Sequence, residues 1–219
     1  MKNTTAILIG ATGATGNELL QLLLNDADFS KVIVFGRNAP KTVHPKLESR
    51  VVDFDQIEKW KNEIQGDVLF SALGTTLKQA GSKDLQYKID VTYQLEVAKA
   101  AAHNDVSQLV LVSSYGANKN ASFFYPKIKG ILEEEVKKLS FKTLHIFQPP
   151  VLIRPKDIKR SGENAFVVLI GWFNALGLFL TQRPMSVKDL ALKMLLVSKK
   201  INQDKVQEYP PKKIRSIEK

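Results

Sequence analysis

The feature that most constrains this chain is a glycine-rich turn near its start, Gly10-Ala11-Thr12-Gly13-Ala14-Thr15-Gly16. An apolar run at residues 6–9 precedes it, and residues 17–25 follow, with leucines at 19, 20, 22, 23 and 24 forming one broad apolar helix face. A strand, a glycine turn and a helix in that order open an α/β unit. Glycine lets the chain reverse sharply, lets a backbone approach an anion with no Cβ in the way, and lets the helix pack closely on the strand. The helix N-terminus then offers free N–H groups and the positive end of its dipole to a pyrophosphate. A P-loop is excluded because no Gly-Lys-Ser/Thr follows. The turn therefore implies a dinucleotide cofactor held by Gly10, Thr12, Gly13, Ala14, Thr15 and Gly16.

The rest of the chain repeats the alternation. Further strands are expected at 31–35, 50–54, 67–72, 108–113 and 142–147, with helices over 84–104 and 126–139. Short apolar strands separated by helices imply an α/β fold with a doubly wound parallel sheet. Repeats, low-complexity tracts and linkers are absent, so residues 1–219 read as one domain. After Pro149 the character changes: Pro155, an apolar stretch at 165–180, a helix near 186–198 and a lysine-rich tail follow. Residues 150–200 are expected over the carboxyl ends of the strands, shaping a substrate pocket.

Composition narrows the chemistry. The chain has no cysteine, which excludes disulfides, Cys-ligated zinc, iron–sulfur clusters and thiol catalysis. His44, His103 and His145 lack metal-ligand spacing, so no metal is expected. The net charge of +10 is spread along the chain without interleaved aromatics, so nucleic acid is not an expected partner, and an anionic small molecule suits the sign. The 165–180 stretch, interrupted by Asn174, is shorter than the roughly 20 residues a spanning helix needs. It reads as buried, or as a contact with a membrane surface or a second subunit; a monomer or homodimer is expected. Met1-Lys2-Asn3-Thr4-Thr5 runs straight into a strand with no leader-peptide pattern, so a cytoplasmic location is expected.

The end of the second strand selects between dinucleotides. NAD enzymes place an acid there for the ribose 2′-hydroxyl. This chain has Gly36-Arg37-Asn38 instead, and Arg37 suits a 2′-phosphate, with Lys41 a second cation nearby. NADP is thus expected over NAD. Asp53 and Phe54, at the end of the third strand, are expected beside the adenine.

Reductases of this architecture use a tyrosine acid and a lysine four residues later, on one helix face. The lysine's charge lowers the tyrosine pKa from about 10. Tyr-x-x-x-Lys occurs at Tyr115/Lys119, Tyr125/Lys129 and Tyr209/Lys213. Tyr209 precedes two prolines, and Tyr115 sits in a loop. Tyr125 opens a good helix, with Pro126 suited to its first turn, so Tyr125/Lys129 is the expected pair. Ser114 is the expected third member, Ser113 pointing to the opposite face if the strand continues that far. His145 is read as a core or pocket-wall residue, and Glu133-Glu134-Glu135 with Lys137-Lys138 as a solvated helix face.

Together these residues resemble the atypical short-chain dehydrogenase/reductases, and within them the Tat-interactive-protein oxidoreductases and bacterial relatives labelled nucleoside-diphosphate-sugar epimerases. The shared features are Gly10–Gly16, Gly36-Arg37, Leu73-Gly74-Thr75-Thr76, Ser113-Ser114-Tyr115-Gly116-Ala117 and Tyr125-x-x-x-Lys129-Gly130. The resemblance covers about residues 5–196. It implies a Rossmann-like fold, NADP(H) binding and Ser-Tyr-Lys roles for Ser114, Tyr125 and Lys129. It also places Leu73, Gly74 and Thr75 along the cofactor, with Lys129 on its ribose. Asp90 stands where many relatives have asparagine, and Gln148-Pro149-Pro150 where Arg-Pro-Gly is common, leaving Pro149, Val151 and Leu152 as the expected contacts near the nicotinamide, the last two through backbone groups. The expected function is an NADP-dependent oxidoreductase acting on a small carbonyl or alcohol. The alternatives are a non-catalytic NADP(H)-binding sensor or interaction protein, and a sugar-nucleotide epimerase, for which the C-terminal part is short.

Overall fold

The computed structural model describes residues 3–153, 183–200 and 204–218. The chain opens with β1 (Thr4–Ile9), α1 (Ala14–Asn25), β2 (Phe29–Gly36) and β3 (Leu47–Val51). A 3-10 turn at Phe54–Lys59 leads on to β4 (Val68–Ser71), α2 (Leu77–Ala80) and α3 (Lys83–Tyr87). A π-helical turn, Lys88–Thr92, joins α3 to α4 (Tyr93–His103), followed by β5 (Gln108–Val112), α5 (Phe124–Lys137) and β6 (Thr143–Phe147). The short β7 (Leu152–Ile153) and β8 (Met185–Ser186) pair with each other ahead of α6 (Val187–Ser198), β9 (Val206–Tyr209) and α7 (Pro211–Arg215).

Seven strands form one parallel sheet in the order β3-β2-β1-β4-β5-β6-β9. This is a Rossmann-like α/β fold. The central strands are apolar on both faces because helices cover both, as in β1, where Ala6, Ile7, Leu8 and Ile9 are all fully buried. Side chains alternate between two cores. Ala6, Leu8, Val32, Val34 and Phe70 meet Leu19, Leu20 and Leu23 of α1 and Leu190 and Met194 of α6. Ile7, Ile9, Ile33, Phe35 and Leu109 meet Val97 and Ala101 of α4 and Ile128, Leu132 and Val136 of α5. The order turns back between β1 and β4, which opens a crevice at their carboxyl ends, where ligands bind in sheets of this kind.

Several expectations move. The third strand is not at 50–54 but at Leu47–Val51, because Asp53 accepts the Asp55 N–H and starts the 3-10 turn. The fifth strand stops at Val112, one residue before the expected end. The helix expected over 84–104 contains the π-helical turn, which places Asp90 on its buried side. The lysine-rich tail carries β9, a seventh strand not expected from the sequence. The apolar stretch 165–180 lies outside the described residues, and among those described no helix is long and apolar enough to cross a membrane.

Candidate cofactor and active site

The glycine turn is built by close approach. Gly10 has φ +84°, and a Cβ there would lie 2.5 Å from the Ala72 carbonyl at the end of β4. A Cβ on Gly16 would collide with the Gly10 carbonyl, so α1 sits directly on the turn. The Gly13 N–H donates to Gly10 O at 2.9 Å, and Gly13 caps α1 with no side-chain acceptor. The helix starts at Ala14, three residues earlier than expected, so the amides of Ala14, Thr15 and Gly16 belong to its first turn. Such amides suit a phosphate.

Two clefts flank this turn. The first is lined by Gly10, Ala11, Thr12, Val34, Gly36, Arg37, Asn38, Phe54 and Leu73. Its apolar wall is firm: Phe54 packs edge-on against Trp60 and stacks on Tyr93, ring centroids 5.6 and 5.2 Å apart. Arg37 is exposed at the side of this cleft, and Lys41 is not among its lining residues. Asp53 is not in the lining either; its carboxylate accepts from Asp55 N and Gln56 Nε2.

The second cleft brings together Gly13, Ala14, Thr15, Ala72, Leu73, Gly74, Thr75, Val112, Ser113, Tyr125, Lys129 and Leu152. Tyr125 is 38% exposed. The loop after β5 reaches over α5 at Gly130, where a Cβ would strike the Asn118–Lys119 backbone, and Asn118 N donates to Pro126 O at 3.0 Å.

The serine in this lining is Ser113, not Ser114. The Ser114 hydroxyl faces the Tyr115 carbonyl at 3.3 Å. Ser113 continues the side of Leu109 and Leu111, which face α4 and α5, so the alternation itself turns Ser113 toward the Tyr125 helix, and the expectation took the wrong face for the site. Pro149 and Val151 are also outside the lining. Their carbonyls accept from Tyr115 N and Met185 N, and of the three residues expected there Leu152 is the one that lines the cleft. The rival pairs stand apart: Tyr115 is exposed and outside the lining, and Tyr209 lies in β9, stacked on Phe147 at 4.7 Å.

Beneath the cleft lie two buried polar groups that sequence reasoning missed or left open. Lys129 is 2% exposed and Asp90 fully buried, and Lys129 Nζ lies 3.4 Å from Asp90 Oδ1 and 3.5 Å from Val112 O. Asp90 Oδ2 accepts the Thr75 N–H at 3.1 Å, and its backbone carbonyl accepts from Gln94 Nε2 at 2.8 Å. Removing one member of a buried pair costs about 3–5 kcal/mol, because the other charge is left uncompensated. Farther along α5, Glu133 is buried rather than on the solvated face expected for it. Gln148 Nε2 donates to both of its carboxylate oxygens, at 3.1 and 3.0 Å. Burial pushes the Glu133 carboxyl above the usual range, against the pull of Ser113, Gln148 and Lys137. The signal was legible: Tyr125, Lys129 and Glu133 are spaced by four, so all three share one face.

The chain is similar in sequence to proteins of one family. A family described as NAD(P)H-binding matches residues 10–141. Protein HTATIP2 of Rattus norvegicus is 36% identical over 167 residues, covering 74% of this chain and 69% of that protein. The chain belongs to this NAD(P)H-binding family. Mitochondrial Fmp52 proteins are further members: that of Candida glabrata is 37% identical over 172 residues, covering 76% of this chain and 72% of the relative. That of Aspergillus niger is 33% identical over 174 residues, covering 75% and 74%. Their naming as mitochondrial overturns the expectation of a cytoplasmic location.

Solved structures agree on the fold. WbmG of Bordetella bronchiseptica in complex with NAD superposes with a TM-score of 0.70 at 11% identity, covering 94% of this chain and 72% of that one. The UDP-glucose 4-epimerase of Thermotoga maritima gives 0.68 at 13% identity, covering 93% and 76%. The chain is an NAD(P)-binding protein of oxidoreductase type.

Proposed function

We propose that the chain is an NADP-dependent oxidoreductase acting on a carbonyl or alcohol carbon. The observation that carries this reading is the second cleft, where Ser113, Tyr125 and Lys129 stand beside the N-terminus of α1 and the Leu73–Thr75 floor. The residues fit a nicotinamide dinucleotide: uncapped helix amides for the pyrophosphate, a Phe54-walled cleft for the adenine, and Arg37 beside that cleft for a 2′-phosphate. Such a cofactor supplies or accepts a hydride. Tyr125, half-exposed, gives the substrate oxygen its proton or takes it back. Ser113 orients that oxygen from the end of β5, and Lys129 holds positive charge beneath the tyrosine.

The experiment is turnover of reduced cofactor against a panel of aldehydes and ketones. Tyr125→Phe should lower kcat about 100- to 10,000-fold, the range for loss of a general acid, with cofactor affinity retained. Undiminished turnover in that variant overturns the assignment.

A further inference from the structure

We propose that Asp90 is the counter-ion of the Tyr125–Lys129 unit and keeps it charged for carbonyl reduction. The inference rests on the oxidoreductase reading above and adds a residue and a direction to it. A lysine beside a tyrosine promotes loss of the phenolic proton. That suits alcohol oxidation, in which the phenolate accepts a proton. Here the lysine does not act alone. Its ammonium lies 3.4 Å from a fully buried carboxylate, itself held by the Thr75 N–H. The three side chains together carry no net charge while Tyr125 holds its proton, and loss of that proton leaves the group net negative above the buried Lys129–Asp90 pair. The carboxylate thus opposes the lysine's pull on the phenolic proton, the direction that suits a tyrosine giving a proton away.

In that state the reduction balances simply. A bound reduced nicotinamide dinucleotide would supply the hydride that forms the new C–H bond, and the C=O π pair moves to oxygen, where it forms the O–H bond of the alcohol. The Tyr125 O–H breaks and its proton goes to the oxygen, leaving a phenolate that takes a proton back from water. Within the π-helical turn Asp90 faces inward, while Lys88, two residues earlier, lies outside, paired with Asp55 at 2.7 Å.

Of the other charged groups on the surrounding elements, Asp84 of α3 and Lys127 of α5 are exposed, and several more have partners of their own. On α5, Glu133 is held by Gln148. On α3, Lys83 lies over the Phe124 ring. On the loop after β5, Lys119 pairs with Glu134. Tyr115 of that loop, and Tyr87 and Tyr93 along the α3–α4 helix, are the remaining phenols on these elements. Tyr115 and Tyr87 are exposed, and Tyr93 donates to Asp55.

The test is Asp90→Asn in the full chain. Removing the carboxylate makes the first proton easier to lose from the coupled Tyr125–Lys129 pair, whichever member gives it up. The alkaline limb of reductive turnover should move down by about 1–3 pH units, the size expected from one charge at this distance. The alkaline limb of NADPH binding, read by dihydronicotinamide fluorescence without any substrate, should move with it. A variant that binds and turns over less well at every pH, with both limbs unmoved, shows a merely structural role and overturns the proposal.

A second measurement serves if Asp90→Asn does not fold. The carboxyl-carbon NMR resonance of Asp90 in the native chain should be that of a carboxylate at neutral pH. It should also show an alkaline inflection that Tyr125→Phe displaces. A protonated Asp90, or an inflection indifferent to Tyr125→Phe, overturns the proposal. The oxidoreductase reading fails separately, if no carbonyl compound is turned over while the binding limb and the NMR coupling still appear as expected.

Discussion

Arg37 shows how much one side chain can decide. It follows Gly36 at the end of β2, at the place where an acid would meet a ribose 2′-hydroxyl, and it lines the Phe54 cleft. A guanidinium there pairs with a phosphate by charge-assisted hydrogen bonds, each set worth about 1.5–3 kcal/mol. Arg37→Ala should therefore weaken NADPH binding about 10- to 100-fold and leave NADH binding nearly unchanged, measured by fluorescence titration of both cofactors. Equal losses for the two would remove Arg37 from the 2′-phosphate. The place of Arg37 beside the cleft was legible in the sequence because it depends on a local position, the end of the second strand. Gly10 and Gly16 were legible for the same reason. Asp90 was noticed only as a departure from a pattern. Its ion pair joins segments 39 residues apart in the chain, from the π-helical turn to α5, and no local signal carries such a contact.

At the scale of elements, strand β5 and helix α5 set the register of the second cleft. The strand ends at Val112 and the backbone then turns, with Ser113 N donating to Phe147 O at 2.7 Å and Tyr115 N to Pro149 O at 2.9 Å. The expectation took the wrong face of the strand rather than the wrong alternation: Ser113 shares the side of Leu109 and Leu111, toward α4 and α5, and which face carries the site depends on where those helices pack, which a short apolar run cannot announce. Helix α5 read more fully, since its spacing of four is internal to the element. Even there Glu133 was misplaced by the two solvated glutamates beside it, Glu134 and Glu135, which do pair with Lys137 and Lys138. The serines give a direct comparison. Ser113→Ala should lower turnover about tenfold or more, while Ser114→Ala should leave it within about twofold, given that a typical hydrogen bond contributes about 0.5–1.5 kcal/mol and one to a charged or developing charge about twice that. The reverse ranking would return the role to Ser114.

For the molecule as a whole, the edge that closes the sheet was the least legible part and has its own pH sensitivity. β9 is short, charged and followed by Pro210 and Pro211, so its pattern reads as tail, yet it completes the parallel sheet beside β6. A buried polar chain fastens it. His145 of β6 lies 2.9 Å by Nδ1 from the Tyr209 hydroxyl and 3.0 Å by Nε2 from Gln108 Nε2 of β5, so three strands share one ring. Burial pushes the His145 pKa down to about 4, with the Lys213 charge adding to the effect, and burial raises that of Tyr209 to about 12. In the unfolded chain the imidazole titrates near 6.5. A depressed folded-state value means that the unfolded state takes up the proton first as pH falls. The stability contributed by a neutral His145 is therefore complete above about pH 6.5, declines between about 6.5 and 4, and amounts at most to about 3 kcal/mol. A proton on Nε2 would also face the Gln108 amide nitrogen, a donor against a donor. His145→Gln removes this titration while keeping a polar side chain at the site. Denaturant unfolding at pH 7 and at pH 4.5 should show the native chain losing more stability than the variant over that interval, the shared carboxylates cancelling in the difference. Equal losses would place the acid sensitivity of the fold elsewhere and leave the β6–β9 edge held by its backbone ladder and the Phe147–Tyr209 stack alone.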